Sequence, residues 1–213
     1  MNKAANAVAA VLVALSASLM AAGESTAAGR MRQGDWPCAQ AKVSEISLSA
    51  VWAGPSLEEA PLKWRDDPKV KSLVERLAAR RVALDDAERQ AREFVAGAGQ
   101  EKLEKGRLLF AGLFETLNAQ RSSVMSGLER VERKQRAAVE KIRADMQQQR
   151  DAQAAGAGDP AQLDVLNNQL AWEIRIFEER RKVVRFVCEV PGLIDQRLFA
   201  LGRVIQQEIS PAE

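Results

Sequence analysis

Residues 103–142 read LEKGRLLFAGLFETLNAQRSSVMSGLERVERKQRAAVEKI and contain no proline. Apolar side chains recur along this run at alternating intervals of four and three residues, which is the a/d pattern of a coiled coil. The two rows are Leu103, Phe110, Leu117, Val124, Val131 and Ala138, and Phe114, Arg121, Leu128, Gln135 and Ile142. The pattern predicts one long helix over about residues 100–155. At ~1.5 Å per residue this helix is roughly 80 Å long, so it must project from a domain of this size.

A turn and a second helix with the same pattern follow. The turn is GAGDP at residues 156–160, in which Asp-Pro favours the start of a new helix. The apolar row of the second helix is Leu163, Leu170, Phe177 and Val184, with Ile174 and Cys188 on the neighbouring row. These features predict an antiparallel hairpin over about residues 100–155 and 160–190. With residue 157 at the tip, the register places Ile142 near Trp172 and Leu128 near Phe186.

Long polar side chains occupy three core-type positions of this hairpin, Arg121, Gln135 and Gln149. Polar residues at such positions lower the stability of a coiled coil, and they can specify its register or oligomeric state. The simpler interpretation is a solvated coiled coil that tolerates long side chains at its seam.

Short helices are expected before the hairpin, at about residues 68–81 and 85–96. Asp67 is a favourable N-cap for the first, because Pro68 follows it at the first helical position. Asp85 and Glu88 have the spacing of a capping box for the second.

A last amphipathic helix is expected at about residues 192–209, after the interruption at Pro191 and Gly192. It lies opposite the broadly apolar start of the long helix. The predicted fold is therefore all-α, with a long antiparallel helical hairpin that projects from a small helical base. Residues 67–213 form this helical domain.

Residues 29–66 show little periodicity, yet they contain three of the four tryptophans, Trp36, Trp52 and Trp64. A polar linker would not carry these side chains. We expect an extended N-terminal segment that lies over the helical body, with room for one short strand at residues 43–52.

The first 28 residues have the pattern of a secretory signal peptide. Lys3 precedes an uncharged run over residues 4–22, and small residues suited to cleavage follow at 25–28. The alternative is an uncleaved membrane anchor. No later stretch approaches 18 apolar residues, so no integral membrane span is expected after cleavage. The expected location is the periplasm.

Export bears on the two cysteines, because exported proteins with an even number of cysteines usually oxidise them. We therefore predict a disulfide between Cys38 and Cys188. The alternative, a redox-active or intermolecular thiol, lacks a CxxC motif or a histidine to lower its pKa.

Composition excludes several functions. Without histidine, the chain has no Ser-His-Asp or Cys-His catalytic group and no histidine-ligated metal, and two cysteines do not complete a zinc site. The 31 Lys and Arg nearly balance the 29 Asp and Glu, which argues against nucleic acid as a partner. No phosphate loop, nucleophile elbow or metal-ligand spacing is present. We expect no cofactor, no metal and no enzyme activity.

The returning helix carries a second apolar stripe, which consists of Val165, Trp172, Ile176, Val183, Val187 and Val190. A helix in a two-stranded hairpin needs only one such stripe, so something else must cover this face. Near the base, over residues 183–190, the segment around Cys38 is expected to do so. Further out, Trp172 and Ile176 are to be covered by residues 40–64, by a second copy of the chain or by a partner protein. Trp172 is the first candidate for an interface anchor.

A basic zone is expected beside this stripe. It combines Arg130, Arg133, Lys134 and Arg136 with Arg180, Arg181, Lys182 and Arg185. Interleaved glutamates suit an ordinary solvated coiled-coil surface. The functional alternative is a docking site for an acidic partner or for anionic lipid headgroups.

These features predict a periplasmic, non-enzymatic scaffold or accessory subunit that binds another exported protein through the hairpin. In outline, a basic periplasmic helical hairpin resembles the Skp chaperones, trimers that hold unfolded outer-membrane proteins. That resemblance rests on shape and compartment, and the β-strand body of those chaperones has no counterpart here. It implies a holdase as the alternative function. A homo-oligomer is a further possibility.

Overall fold

The computed structural model describes residues 34–154 and 159–210. Within these two ranges the chain forms seven α-helices, one short 3₁₀ helix and no β-strand, so the all-α prediction is confirmed. No helix of the described residues is both long and apolar enough to cross a membrane. The predicted signal peptide and the predicted tip at residue 157 lie outside the described residues.

The five longer helices lie close to the predicted ones, and two four-residue helices fall within residues 29–66, which were expected to be extended. They are α1 (Leu48–Val51), α2 (Ala60–Lys63), α3 (Pro68–Leu77), α4 (Leu84–Ala96), α5 (Lys102–Ala154), α6 (Pro160–Val187) and α7 (Val190–Ile209), with the 3₁₀ helix at Gly99–Glu101. α5 alone has 53 residues. α6 ends three residues before the predicted position, and α7 begins with Pro191 in its first turn.

Helices α5 and α6 form the antiparallel hairpin in the predicted register. The Gln135 side chain donates to the Phe177 carbonyl at 3.3 Å. Further out, Lys141 pairs with Glu173 at 2.5 Å, and Gln149 donates to Asn167. The midpoint of each pair along the sequence lies within one residue of position 157, as the predicted tip requires. The hairpin therefore follows from heptad spacing and one Gly-rich turn.

The core of the base lies between the first half of α5, helix α7 and the short helices α3 and α4. The side chains buried most completely there include Val70, Val74, Leu77, Leu109, Phe110, Leu113, Leu117, Leu198, Leu201 and Ile205. Each such side chain contributes about 1.5–3 kcal/mol through its burial. Gly112 of α5 permits close contact, since a Cβ there would lie 2.7 Å from Val74 Cγ2 and 2.9 Å from the Trp64 ring.

The predicted caps have different outcomes. Asp67 caps α3 as expected, because its carboxylate accepts from the backbone amides of Lys69 at 2.9 Å and Val70 at 3.1 Å. The capping box at Asp85 is wrong. Helix α4 begins one residue earlier, and Asp85 lies in its first turn. A carboxylate there interacts favourably with the helix dipole, but it does not cap the backbone amides.

The short strand expected at residues 43–52 is also wrong. Residues 43–46 pair with side chains of α5 instead: Ile46 N–H donates to Asn118 Oδ1 at 3.4 Å, and Arg121 donates to the Val43 carbonyl at 2.6 Å. The chain then turns into α1. Because no described strand lies beside this segment, helix side chains supply its hydrogen bonds.

Arg197 of α7 is buried in the base without a carboxylate partner. Its guanidinium donates to the Leu77 carbonyl at 2.7 Å and to the Val82 carbonyl, at the end of α3 and in the loop that follows. Burial lowers the pKa of this group. The first bond satisfies a carbonyl in the last turn of α3, which helix geometry leaves unpaired, and the second satisfies a carbonyl of the loop.

We expect Arg197→Met to lower the free energy of unfolding by about 2–4 kcal/mol, since it leaves both carbonyls without their donor. Urea denaturation of the protein measures this loss. The matched control is Arg203→Met, because Arg203 lies exposed on the same helix. Equal stability of the two variants would contradict the role assigned to Arg197.

Candidate functional site

The N-terminal segment, residues 34–47, runs along α5 from the hairpin towards the base. Asp35 pairs with Arg133 at 2.9 Å and Arg136 at 3.0 Å, in the outer half of the hairpin. Lys42 pairs with Glu129, closer to the base. Part of the predicted basic zone is therefore neutralised within the chain.

The predicted disulfide joins this segment to the end of α6. The Sγ atoms of Cys38 and Cys188 lie 2.02 Å apart. Beside them Trp36 is buried against α5, and its indole N–H donates to the Gln40 carbonyl at 2.7 Å. The buried side chains here form what we call the neck cluster, which consists of Trp36, Met125, Leu128 and Cys188. The segment is thus held to both helices of the hairpin.

Arg121 connects the same segment to α7. Its side chain is 4% exposed, and it donates to Asp195 Oδ1 at 2.8 Å and to the carbonyls of Val43 at 2.6 Å and Ser44 at 3.2 Å. Arg121 lies at a core-type position, where a polar side chain was expected to lower stability. It makes a specific set of hydrogen bonds there instead.

The second stripe of the returning helix is open over most of its length. Val165, Trp172 and Val183 are 67%, 63% and 58% exposed, and Ile176 is half-buried. Val187 packs against the neck cluster and Val190 against the core of the base. We call the open part the outer stripe, which consists of Val165, Trp172, Ile176, Val183 and Phe186.

Two expectations about the cover of this stripe are wrong. Residues 40–64 do not reach Trp172, because Trp52 and Trp64 bury themselves in the core of the base. Trp52 stacks on Phe110 with ring centroids 4.2 Å apart, and Trp64 donates to Glu115 at 2.9 Å. The segment around Cys38 covers Val187 but leaves Val183 exposed.

Phe186 belongs to the outer stripe, although its side chain was not among the predicted contact residues. It is 72% exposed, and Leu128 on the facing helix packs in the neck cluster instead. The available signal was its spacing, because Phe186 follows Trp172 by fourteen residues, which is two heptads.

The basic zone is divided between two sides of α6. Arg181 follows Trp172 by nine residues, about two and a half turns, so it lies on the opposite side of the helix. There Arg181 and Arg185 line a groove of about 680 Å³ together with Arg136 and Pro37. Arg180 lies less than a quarter turn from the outer stripe in projection.

The other predicted cations have separate surroundings. Lys182 pairs with Glu179 at 2.7 Å, and Arg133 pairs with Asp35. Arg130 and Lys134 are exposed on α5 and make no ion pair with a described residue. The structure therefore brings Val165, Trp172 and Ile176 onto one helix face, but it does not gather all the predicted cations beside them.

Electrostatic contacts hold the two helices together beside the stripe. The Lys141 ammonium hydrogen bonds to Glu173 and Asp145, and its bond to Glu173 holds the pKa of that carboxyl below its ordinary value. Within residues 34–154 and 159–210, no group of three or more acidic or cysteine side chains is placed to hold a metal ion. What α5 and α6 present here is an apolar surface for contacts and charged side chains beside it.

No family model, no curated protein and no solved structure matches this chain.

Proposed function

We propose that the chain is a periplasmic, non-enzymatic scaffold or accessory subunit that binds another exported protein through the outer stripe of α6. The observation that carries this proposal is the exposure of Trp172 among the apolar residues of the outer stripe. The other three tryptophans are buried. A large aromatic side chain left in water among further apolar residues is typical of an interface anchor.

The compartment is supported by the disulfide and by the signal-peptide pattern at residues 1–28. A covalent link across 150 positions of sequence suits an oxidising compartment, where such bonds persist. An accessory role is supported by the construction of the hairpin. The disulfide, Asp35 and Arg121 fix the N-terminal segment along α5, and most of the outer stripe of α6 stays exposed.

The test is to tag the mature chain after Glu213, crosslink it in its own periplasm and identify the captured proteins by mass spectrometry. Trp172→Glu should reduce the capture of one dominant companion at least about tenfold, because it places a charge in the centre of the interface. Circular dichroism should show unchanged helicity, since the side chain is exposed.

The matched control is Phe199→Glu, which changes an aromatic residue that is 53% exposed on α7 and lies outside the outer stripe. It should capture the companion as the wild type does. Equal capture by the Trp172→Glu variant would contradict the proposal.

A holdase is the second candidate. It is favoured by exposed apolar side chains elsewhere, at Leu62, Leu193 and Phe199, which a surface for one dedicated partner does not require. A holdase would capture many unrelated exported proteins, and it would suppress the aggregation of several of them. In that case Phe199→Glu should weaken capture as well.

A further inference from the structure

The outer stripe has the spacing of a second a/d seam. Its positions alternate by four and three residues along α6, at Val165, Gln169, Trp172, Ile176, Glu179, Val183 and Phe186. A period of 3.5 residues keeps a row of side chains facing one neighbouring helix. The spacing therefore suits an α-helix as the missing cover.

The exposed length sets the size of that helix. Residues 165–186 span three heptads, roughly 32 Å at ~1.5 Å per residue. The β-branched residues Ile176 and Val183 occupy a positions, and Trp172 and Phe186 occupy d positions. Trp172, Val183 and Phe186 are exposed, and Ile176 is half-buried.

Charges beside the seam indicate the chemistry of the partner. The flanking positions carry Arg175 and Lys182 on one side and Glu173 and Arg180 on the other. Glu173 is already bonded to Lys141 at 2.5 Å. Arg175 and Arg180 make no ion pair with a described residue. Two uncompensated cations beside the seam favour acidic residues at the flanking positions of the partner helix.

A second copy of α6 does not meet this requirement. Parallel in-register pairing would set Glu179 against its own copy in the seam. Antiparallel pairing that matches Trp172 with Val183 would set Arg175 against Lys182 on one flank. On the other flank it would set Arg180 against Glu173, but Lys141 already holds that carboxylate. Like charges in these places oppose pairing.

We propose that the outer stripe binds one acidic amphipathic helix of about three heptads, supplied by another protein. This inference rests on the proposed function and specifies the class of partner. The apolar side chains of that helix cover Trp172, Ile176 and Phe186. Its glutamates or aspartates compensate Arg175 and Arg180.

Two synthetic peptides test this inference on the full mature chain. Both have three heptads with Ile at a and Leu at d; one carries Glu at every e and g position, and the other Lys. Fluorescence anisotropy of the labelled peptides should show the Glu peptide binding about tenfold tighter than the Lys peptide. Trp172→Glu should abolish the binding, and Phe199→Glu should leave it unchanged.

Charge reversal is the decisive variant. Arg175→Glu combined with Arg180→Glu should make the chain prefer the Lys peptide. If Trp172-dependent binding persists with no preference between the peptides, the acidic class is wrong while the docking surface of the proposed function stands. If neither peptide binds, the helical partner is wrong. If sedimentation shows a dimer that Trp172→Glu dissociates, a second copy occupies the stripe and the inference is overturned.

Discussion

Alanine at both Cys38 and Cys188 should lower the free energy of unfolding by about 3–5 kcal/mol. The bond closes a loop of 150 positions, so its loss returns a large conformational entropy to the unfolded chain. The covalent link that holds the segment of Trp36 to the neck cluster is also lost, and this cluster is small and lies apart from the core of the base. Urea denaturation of the protein measures the change.

Reduction of the wild-type chain by a dithiol serves as the control for this prediction. Reduction should lower the free energy of unfolding by nearly the same amount, because it breaks the bond without replacing either residue. Limited proteolysis should then cut within residues 34–47 of the reduced chain before it cuts the base. A loss below about 1 kcal/mol in both experiments would show that noncovalent contacts alone hold the segment.

Arg121→Met should lower the free energy of unfolding by about 2–4 kcal/mol, because methionine cannot replace the hydrogen bonds that the buried guanidinium donates to Asp195 and to two carbonyls. The change leaves two backbone carbonyls and the Asp195 carboxylate without their donor. Position 121 has the heptad spacing of a seam residue, for which an apolar side chain should be stabilising. The variant therefore separates these two interpretations by the sign of its effect.

Arg130→Met is the matched control for Arg121→Met, because Arg130 is exposed on the same helix and has no ion pair with a described residue. Its effect should stay within about 0.5 kcal/mol. A double-mutant cycle with Asp195→Asn should assign part of the Arg121 effect to that pair. A gain in stability on Arg121→Met would support the seam interpretation and contradict ours.

The hairpin could be predicted because heptad spacing is local and repeats many times. Leu117, Leu128 and Leu170 lie where the pattern puts them, and the sequence GAGDP at residues 156–160 was enough to predict the register. The disulfide was predictable for another reason, since a chain with two cysteines has one possible intramolecular pairing.

The path of the aperiodic segment could not be predicted. Trp52 and Trp64 are large apolar side chains that should be buried. Nothing in their spacing shows whether they pack against the base or against α6. Their place depends on Phe110 and Gly112, which are close in space and distant in sequence. Arg197 was missed for the same reason, because its carbonyl partners lie more than a hundred residues away.

The candidate site also has features that could be predicted from the sequence and features that could not. Trp172 was predictable from helical periodicity, and so was the need for something to cover it. Its exposure depends on where residues 40–64 lie, which periodicity does not report. The separation of Arg181 from Trp172 follows from helical geometry alone, whereas the pairing of Arg133 with Asp35 depends on the path of the N-terminal segment.

The central claim is that the outer stripe is open in the isolated chain and awaits a partner. Iodide quenching of tryptophan emission from the protein tests it most directly, because all four tryptophans are described and only Trp172 is exposed. We predict one quenchable class of emission that is lost in Trp172→Phe and does not change over a wide range of protein concentration. Shielding of all four tryptophans, or shielding that grows with concentration, would contradict the claim by showing that the chain covers the stripe itself.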